Sequence, residues 1–363
     1  MDYINVEKGN RMMRFIRSIV ILTVIALSIF YFTEQQNFMA NEEELIQVNR
    51  SLKEKSNLLE IKSVPVISEE IDLFECIGQS NELLLERLGE PLRKDPSAYK
   101  YEWWIYKQSK GYLQFGILNN EIVTVFGTGM EMNGKPLQIG QMYDELDEEF
   151  SFEDEVTYRE GLSSYTFRLT KEDLMMRPLM KVSENVFAQL YFDTITKKLS
   201  SIRVLSADIL LMHRPYEIVY RGDLPQKPDL TESEWKNVEK GMEQQVFDLT
   251  NVIRKRHNIP ILEWEETVSG VAFNHSKDMA KNNYFSHYKL NGDGLKERLA
   301  TKDVFYVSAG ENIAAQYTDA PAAIEGWLNS ESHREALLNK EYTHLGVGVY
   351  RLYYTQNFLE QPY

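Results

Sequence analysis

Apolar and polar positions change rhythm several times along the chain, and each rhythm predicts a different element. Residues 15–32 read FIRSIVILTVIALSIFYF, with no charge from Ser18 to Phe32. Counted from Met12, with Arg14 and Arg17 reaching back to the headgroups, the segment is long enough for one membrane-spanning helix. Lys8, Arg11, Arg14 and Arg17 precede it and Glu34 follows, so the N-terminus is expected inside and the remainder outside. A cleaved signal peptide is the rival reading, although no small-x-small site closely follows the run. Residues 40–62 are charged and helix-prone. Leu45, Val48, Leu52 and Leu59 keep a 3/4/7 spacing, which predicts a helical stalk ended by Val64-Pro65-Val66.

From residue 69 to 221 the pattern repeats itself weakly. IGQSNELLLERLG (77–89) and IGQMYDELDEEFS (139–151) each open with Ile-Gly-Gln and continue as an amphipathic helix. Strand-like alternation follows both. After the first come 101–106, 112–118, a turn at Asn119-Asn120, and 121–126. After the second come 164–169, 184–193, a turn near Thr196-Lys197-Lys198, and 199–206. The expected unit is a helix followed by antiparallel strands, used twice, with one face of each sheet buried on its helix. Alternation puts one of Trp103 and Trp104 on the core face and leaves the other half-exposed, where it could stack on a sugar or lipid.

Asp223-Leu-Pro-Gln-Lys-Pro228 reads as a stiff linker, 222–230. Thr231-Glu-Ser-Glu234 is a capping box ahead of a long helix that carries Val238, Met242, Val246, Leu249 and Ile253 to about Arg256. A second helix is expected from about Thr267 to Asn282. The organisation is then 1–35 cytoplasmic tip and anchor, 36–68 stalk, 69–221 duplicated domain, 222–230 linker and 231–363 C-terminal domain, an α+β chain overall.

Composition narrows the chemistry. The 363 residues carry 55 Asp and Glu against 40 Lys and Arg, a net charge of -15 that repels phosphate backbones and argues against nucleic acid as a partner. The single cysteine, Cys76, allows neither an internal disulfide nor an all-cysteine metal site. No Gly-rich phosphate loop and no Gly-x-Ser-x-Gly elbow is present.

Five segments in the last third carry a family resemblance. They are Asn251 to Trp264, Phe285-Ser286-His287, Gly310-Glu311-Asn312-Ile313-Ala314, Trp327-Leu-Asn-Ser330-Glu-Ser-His333-Arg334, and the pair 345–349 and 354–358. In this order they resemble the CAP superfamily of cysteine-rich secretory, antigen and pathogenesis-related proteins. The resemblance implies a three-layer α-β-α sandwich. The duplicated region resembles the CAP-associated N-terminal domain that precedes CAP domains in membrane-tethered proteins of Bacillus-like bacteria. That match rests on the repeat, on Leu88-Gly89-Glu90-Pro91 and on the Trp103-Trp104 strand.

CAP domains commonly gather two His and two Glu at the base of a cleft. By motif His287 and His333 take the histidine positions and Glu311 one glutamate position, while Ser330 falls where the second glutamate is expected. Glu325 and Glu331 are near but not at that position. Two imidazoles and a carboxylate are a sufficient set for an open Zn2+ site, so Zn2+ is the candidate cofactor at His287, His333 and Glu311. The same side chains also have plainer uses: Glu311 can cap a turn, Asn312 can bridge loop backbones and His333 can satisfy a carbonyl. His257 is expected in solvent, His213 in a structural role, and His275 and His344 at most at the cleft rim. Ser330 and His333 share a helix face, but no oxyanion loop is evident. The resulting reading is a membrane-tethered extracytoplasmic protein that binds an envelope lipid, glycan or peptide in the cleft formed by His287, Glu311, His333, Ser330 and Asn312. The alternatives are a metal-dependent hydrolase of envelope peptide or peptidoglycan, and a structural or signalling envelope protein whose middle domain contacts a partner.

Overall fold

The structure, a computed structural model, describes residues 71–107, 111–129, 133–134 and 137–362. The expected anchor and stalk lie outside the described residues. Among the described residues no helix is long and apolar enough to cross a membrane.

The two Ile-Gly-Gln segments build the same device. In the first copy, α1 (Glu82–Leu88) leads into β1 (Arg93–Pro96), β2 (Glu102–Lys107), β3 (Gly111–Leu118) and β4 (Glu121–Gly129). A short hairpin, β5 (Asn133–Gly134) with β6 (Leu137–Gln138), connects to the second copy. There α2 (Tyr143–Phe150) is followed by an inserted hairpin, β7 (Glu155–Glu160) and β8 (Ser163–Arg168), and by α3 (Lys171–Met176). The strands β9 (Leu179–Lys181), β10 (Val186–Asp193) and β11 (Lys198–Ser206) complete it. Gly78 and Gly140 both sit at positive φ, 83° and 97°, where glycine alone carries no steric cost. That turn lets each motif clip onto the returning strand. Gly78 N–H donates to Ile122 O at 2.8 Å and Ile122 N–H to Gln79 O at 2.9 Å. Gly140 N–H donates to Leu199 O and Leu199 N–H to Gln141 O, both at 2.8 Å.

The expectation of two separate half-buried sheets is corrected. β4 pairs antiparallel with β11, Thr128 opposite Ser201 and Thr124 opposite Leu205, so both copies pool into one seven-stranded sheet ordered β1-β2-β3-β4-β11-β10-β9. Helices α1 and α2 cover one face through Leu84, Leu88 and Leu146, against Trp104, Phe115 and Phe192. The other face, carrying Trp103, Phe126 and Phe187, packs against α4 (Ala207–His213) and the helices of the C-terminal domain. Trp103 and Trp104 are therefore both buried, at 2% and 4% exposure, and form no stacking platform. An antiparallel sheet with one solvated face shows alternation; here β10 is buried at every residue, Val186 to Asp193, because both faces are covered. A last strand, β12 (Glu217–Arg221), pairs with β8.

In the C-terminal domain α5 (Glu232–Arg256) starts at the expected box. Thr231 Oγ1 accepts from Glu234 N–H at 3.3 Å, and Glu234 Oε2 accepts from Thr231 N–H at 2.8 Å. Then come β13 (Glu263–Trp264), α6 (Glu266–Asn282), α7 (Leu295–Ala300), β14 (Ser308–Ala315), α8 (Ala320–Leu328), α9 (Glu331–Leu337), β15 (His344–Tyr350) and β16 (Tyr353–Glu360). The sheet order is β13-β15-β16-β14, with β13 parallel to β15 and the other pairs antiparallel. Gly346 and Gly348 face α6. An added Cβ there would overlap the helix backbone at Val268–Ser269 and Ala272–Phe273, so no larger residue fits. Val347 and Val349, on the opposite side, enter a core with Val246 and Leu249 of α5 and Trp327 of α8. Helices thus cover both faces, as the resemblance implies.

The linker does not separate independent bodies. All described residues lie in one compact unit, and one apolar core runs from Trp103 and Phe126 through Val246 and Trp327 to Tyr354. Polar contacts stitch the same boundary. Asp248 holds Lys107 at 2.7 Å and Arg93 at 3.2 Å, Arg203 holds Asp319 at 2.8 Å, and Arg334 holds Asp193 at 2.9 Å.

Candidate functional site

The site sits at the free edge of the four-stranded sheet. β14 is the edge strand, so residues on either of its faces can reach the space in front of it. Helix α6 ends at Asn283 in the left-handed conformation, φ 57°, and the chain turns back through Phe285-Ser286-His287. His275, on α6, ties this loop down: its Nε2 lies 3.0 Å from the Ser286 carbonyl. His275 is fully buried, so it is a strut and not the rim residue that its position allowed. Burial, first among its causes, pushes the His275 imidazole down to about 4 from an ordinary 6.5. The unfolded chain therefore takes up a proton near pH 6.5 that the folded chain refuses until about pH 4. Stability is complete above pH 6.5 and falls through that window as pH drops, by about 3 kcal/mol from this group alone. Urea titrations at pH 7 and pH 4.5 should show the loss, and the H275Q variant should show a shallower one; equal slopes in both chains would refute the assignment.

Glu311 is the hub. Its Oε1 lies 2.9 Å from His287 Nδ1, and its Oε2 lies 2.6 Å from Arg298 Nη2. The side chains of Glu311 and Arg298 are each 5% exposed, while that of His287 is 49% exposed. The carboxylate thus neutralises a buried guanidinium on one side and orients an accessible imidazole on the other. With Nδ1 turned to the carboxylate, Nε2 is the ring's second hydrogen-bonding atom. Arg298 was not among the residues singled out from sequence. Its signal was available: on α7 it stands three residues after Leu295 and one before buried Leu299, so helical spacing turns it inward, where an arginine requires a carboxylate.

The second half of the site is built on α9. Ser330 is the residue before its first turn, yet its hydroxyl makes no cap bond and lies 2.9 Å from His333 Nδ1. Asn312 holds this helix from below. Its amide donates to the His333 carbonyl at 3.0 Å and to Gln356 Oε1 at 3.2 Å, and Gln356 in turn donates to Thr250 on α5 at 2.7 Å. Asn312 is fully buried, so it positions the cleft instead of lining it. Burial, first among the causes, and the neighbouring His287 lower the affinity of His333 for a proton, which favours its neutral form.

The structure therefore brings His287 to Glu311, and His333 to Ser330, with Asn312 beneath. It does not close His287, His333 and Glu311 on one point. Among the described residues no group of three or more His, Cys, Asp or Glu could hold a metal ion. Both Glu311 oxygens are engaged, one by a guanidinium, and a cation beside Arg298 would be repelled. The Zn2+ set expected at His287, His333 and Glu311 does not fit this arrangement. Glu325 lies elsewhere, buried in the domain boundary, where Ser200 and Ser201 donate to it at 3.0 and 2.7 Å. Glu331 is exposed. His257 is half-buried beside Arg256 and not in open solvent, which corrects that expectation, and burial lowers its proton affinity. His213 is buried with Nε2 3.1 Å from Tyr101 Oη, and His344 lies beside Thr343 at 2.8 Å.

Large apolar side chains are exposed next to the site residues in sequence. Phe285, Tyr288 and Leu290 flank His287, and Phe305 and Val307 lead into β14; Phe305 reaches 82% exposure. A hollow of about 590 Å3 lies elsewhere, at the domain boundary between Tyr99, Arg177, His213, Lys227, Tyr317 and Glu325. Its charges balance, and none of His287, Glu311, Asn312, Ser330 and His333 lines it.

Residues 77–216 match the family described as CAP-associated N-terminal, and residues 247–361 match the cysteine-rich secretory protein family. A Bacillus subtilis protein described as the uncharacterized membrane protein YlbC is 47% identical over 290 residues, spanning 80% of this chain and 84% of its own. The crystal structure of an extracellular SCP-domain protein from Bacillus anthracis is 42% identical and superimposes with a TM-score of 0.76, over 83% of this chain and 100% of that one. A cysteine-rich secretory protein from Staphylococcus aureus, 26% identical, superimposes at 0.71 over 82% of this chain and 97% of that one.

Proposed function

The chain belongs to the cysteine-rich secretory protein (CAP) family, in the form that carries a CAP-associated N-terminal domain, and we propose that it is a membrane-tethered envelope protein whose CAP cleft binds an envelope component with an apolar part. The apolar segment 15–32 and the relative described as a membrane protein support the tether. The observation that supports the binding reading is the exposed set Phe285, Tyr288, Leu290, Phe305 and Val307, adjacent in sequence to His287 and to the site strand β14, together with the hydrogen-bonding imidazoles of His287 and His333. Contiguous apolar surface of this kind marks interaction sites, so these side chains are the candidate contacts for an apolar partner. Apolar contacts supply affinity, and His287 Nε2 and the His333 ring supply direction, so a lipid or apolar peptide suits the rim better than a bare glycan.

The full chain, purified from its own membrane, should carry a bound envelope lipid or peptide detectable by native mass spectrometry. Occupancy should fall about tenfold in Phe285→Ser/Phe305→Ser and in His287→Ala/His333→Ala, since each change removes buried apolar area or a hydrogen bond to the ligand. Unchanged occupancy in both variants would exclude the cleft.

One observation favours a second reading, hydrolysis. Ser330 Oγ at 2.9 Å from a neutral imidazole is a nucleophile–base pair. No carboxylate is hydrogen-bonded to the His333 ring among the described residues, so activation is weak. A fluorophosphonate probe should leave Ser330 unlabelled; stoichiometric labelling lost in H333A would establish the hydrolase reading instead.

A further inference from the structure

Beside Arg298, the face formed by α6, the loop after it and α7 encloses a second hollow of about 460 Å3, which Glu311 does not line. Its charge is opposite to that of the chain. In a protein of net charge -15, this hollow is lined by Lys277, Lys281, Lys289, Lys302 and Arg298 against one acid, Asp278. That acid is already committed: Asp278 accepts from Asn282 Nδ2 at 2.7 Å and from Tyr284 Oη at 2.6 Å. Among the described residues none of the four lysines forms an ion pair, and Lys277 only leans over the rings of Phe273 and Tyr350, 5.8 Å from each centroid. Lys277 and Lys281 are four apart on one helix, a like-charge spacing that destabilises the helix unless something neutralises it.

Arg298 supplies the independent sign of a ligand. It is nine-tenths buried and forms part of the wall, yet Nη2 alone is bonded, to Glu311; Nε and Nη1 have no partner. A buried guanidinium with two unsatisfied donors costs free energy that an anion would recover. Three chain segments deliver cations to this one hollow, which suits a compact, multiply charged acceptor better than a single carboxylate.

We propose that this hollow binds a phosphate group, with room left for a small polar substituent such as glycerol. The site is separate from the cleft and does not depend on the binding function assigned there. Isothermal titration of the full chain at low ionic strength, with inorganic phosphate and with glycerol 1-phosphate, reads it directly. Short-chain, soluble dihexanoyl phosphatidylglycerol, with the phosphatidylcholine analogue as its control, tests a lipid source of the same group. The K281E/K302E variant, which leaves Arg298 and the cleft intact, should weaken binding about tenfold or more, and added salt should weaken it in the natural chain. The charge-matched K236E/K240E variant, changed on the exposed face of α5, should bind as the natural chain does. Binding of the soluble phosphates assigns the site to a free phosphate compound, and binding of the phosphatidylglycerol alone assigns it to a headgroup; both support the site. No binding on either arm, or equal loss in the two variants, would overturn it.

Discussion

Replacing Arg203 with Met should cost about 3–5 kcal/mol of folding stability, the loss typical of breaking a buried ion pair from one side. Arg203 lies on β11 and donates through Nη2 to both oxygens of Asp319, at 2.8 and 2.9 Å. The two side chains are 1% and 2% exposed, and Asp319 also accepts from Ala322 N–H at the start of α8. The pair therefore joins the middle sheet to the CAP domain and holds the helix before the cleft. Burial works against the charge of Arg203, but Asp319 outweighs it and raises the proton affinity of the guanidinium. Without Arg203 the Asp319 carboxylate would be left unpaired in the core. The double variant Arg203→Met/Asp319→Ser removes both charges and keeps a capping hydroxyl, so it should recover most of the loss. Urea unfolding of the two variants checks this. A loss below about 1 kcal/mol in the single variant would mean that water reaches the pair.

The Glu311→Ala variant should be nearly as damaging, about 3–5 kcal/mol, for a reason that separates two views of the site. If Glu311 served mainly as a metal ligand, its loss would release repulsion and cost little stability in metal-free protein. In this structure it is the counter-charge of buried Arg298, and its removal strands that guanidinium. The His287 ring would lose its orienting acceptor at the same time, so ligand occupancy should fall with stability. Thermal melts in excess chelator, compared with melts of a Glu311→Ala/Arg298→Met double variant, distinguish the two. A single variant as stable as the natural chain would restore the metal view.

Much of this was written in local sequence. The capping box at Thr231–Glu234, the turn at Asn119-Asn120 and the two Ile-Gly-Gln clips act over a few residues, so pattern alone locates them. The motif order that gives the family resemblance also pointed to His287, Glu311, His333 and Ser330, and these do meet in pairs at one sheet edge. Alternation failed at Trp103 and Trp104 because the second face of their sheet is covered by a domain more than a hundred residues away, and no local rhythm records that.

The partners of charges were likewise decided only by tertiary structure. A sequence shows that an arginine stands on the inner face of a short helix. It does not show which carboxylate arrives from another strand to neutralise it. Elements and motifs are set by interactions between neighbours in the chain. The meaning of Glu311 as ligand, cap or counter-ion is set by long-range burial, because the cost of a charge depends on the dielectric and on the groups that the fold brings beside it.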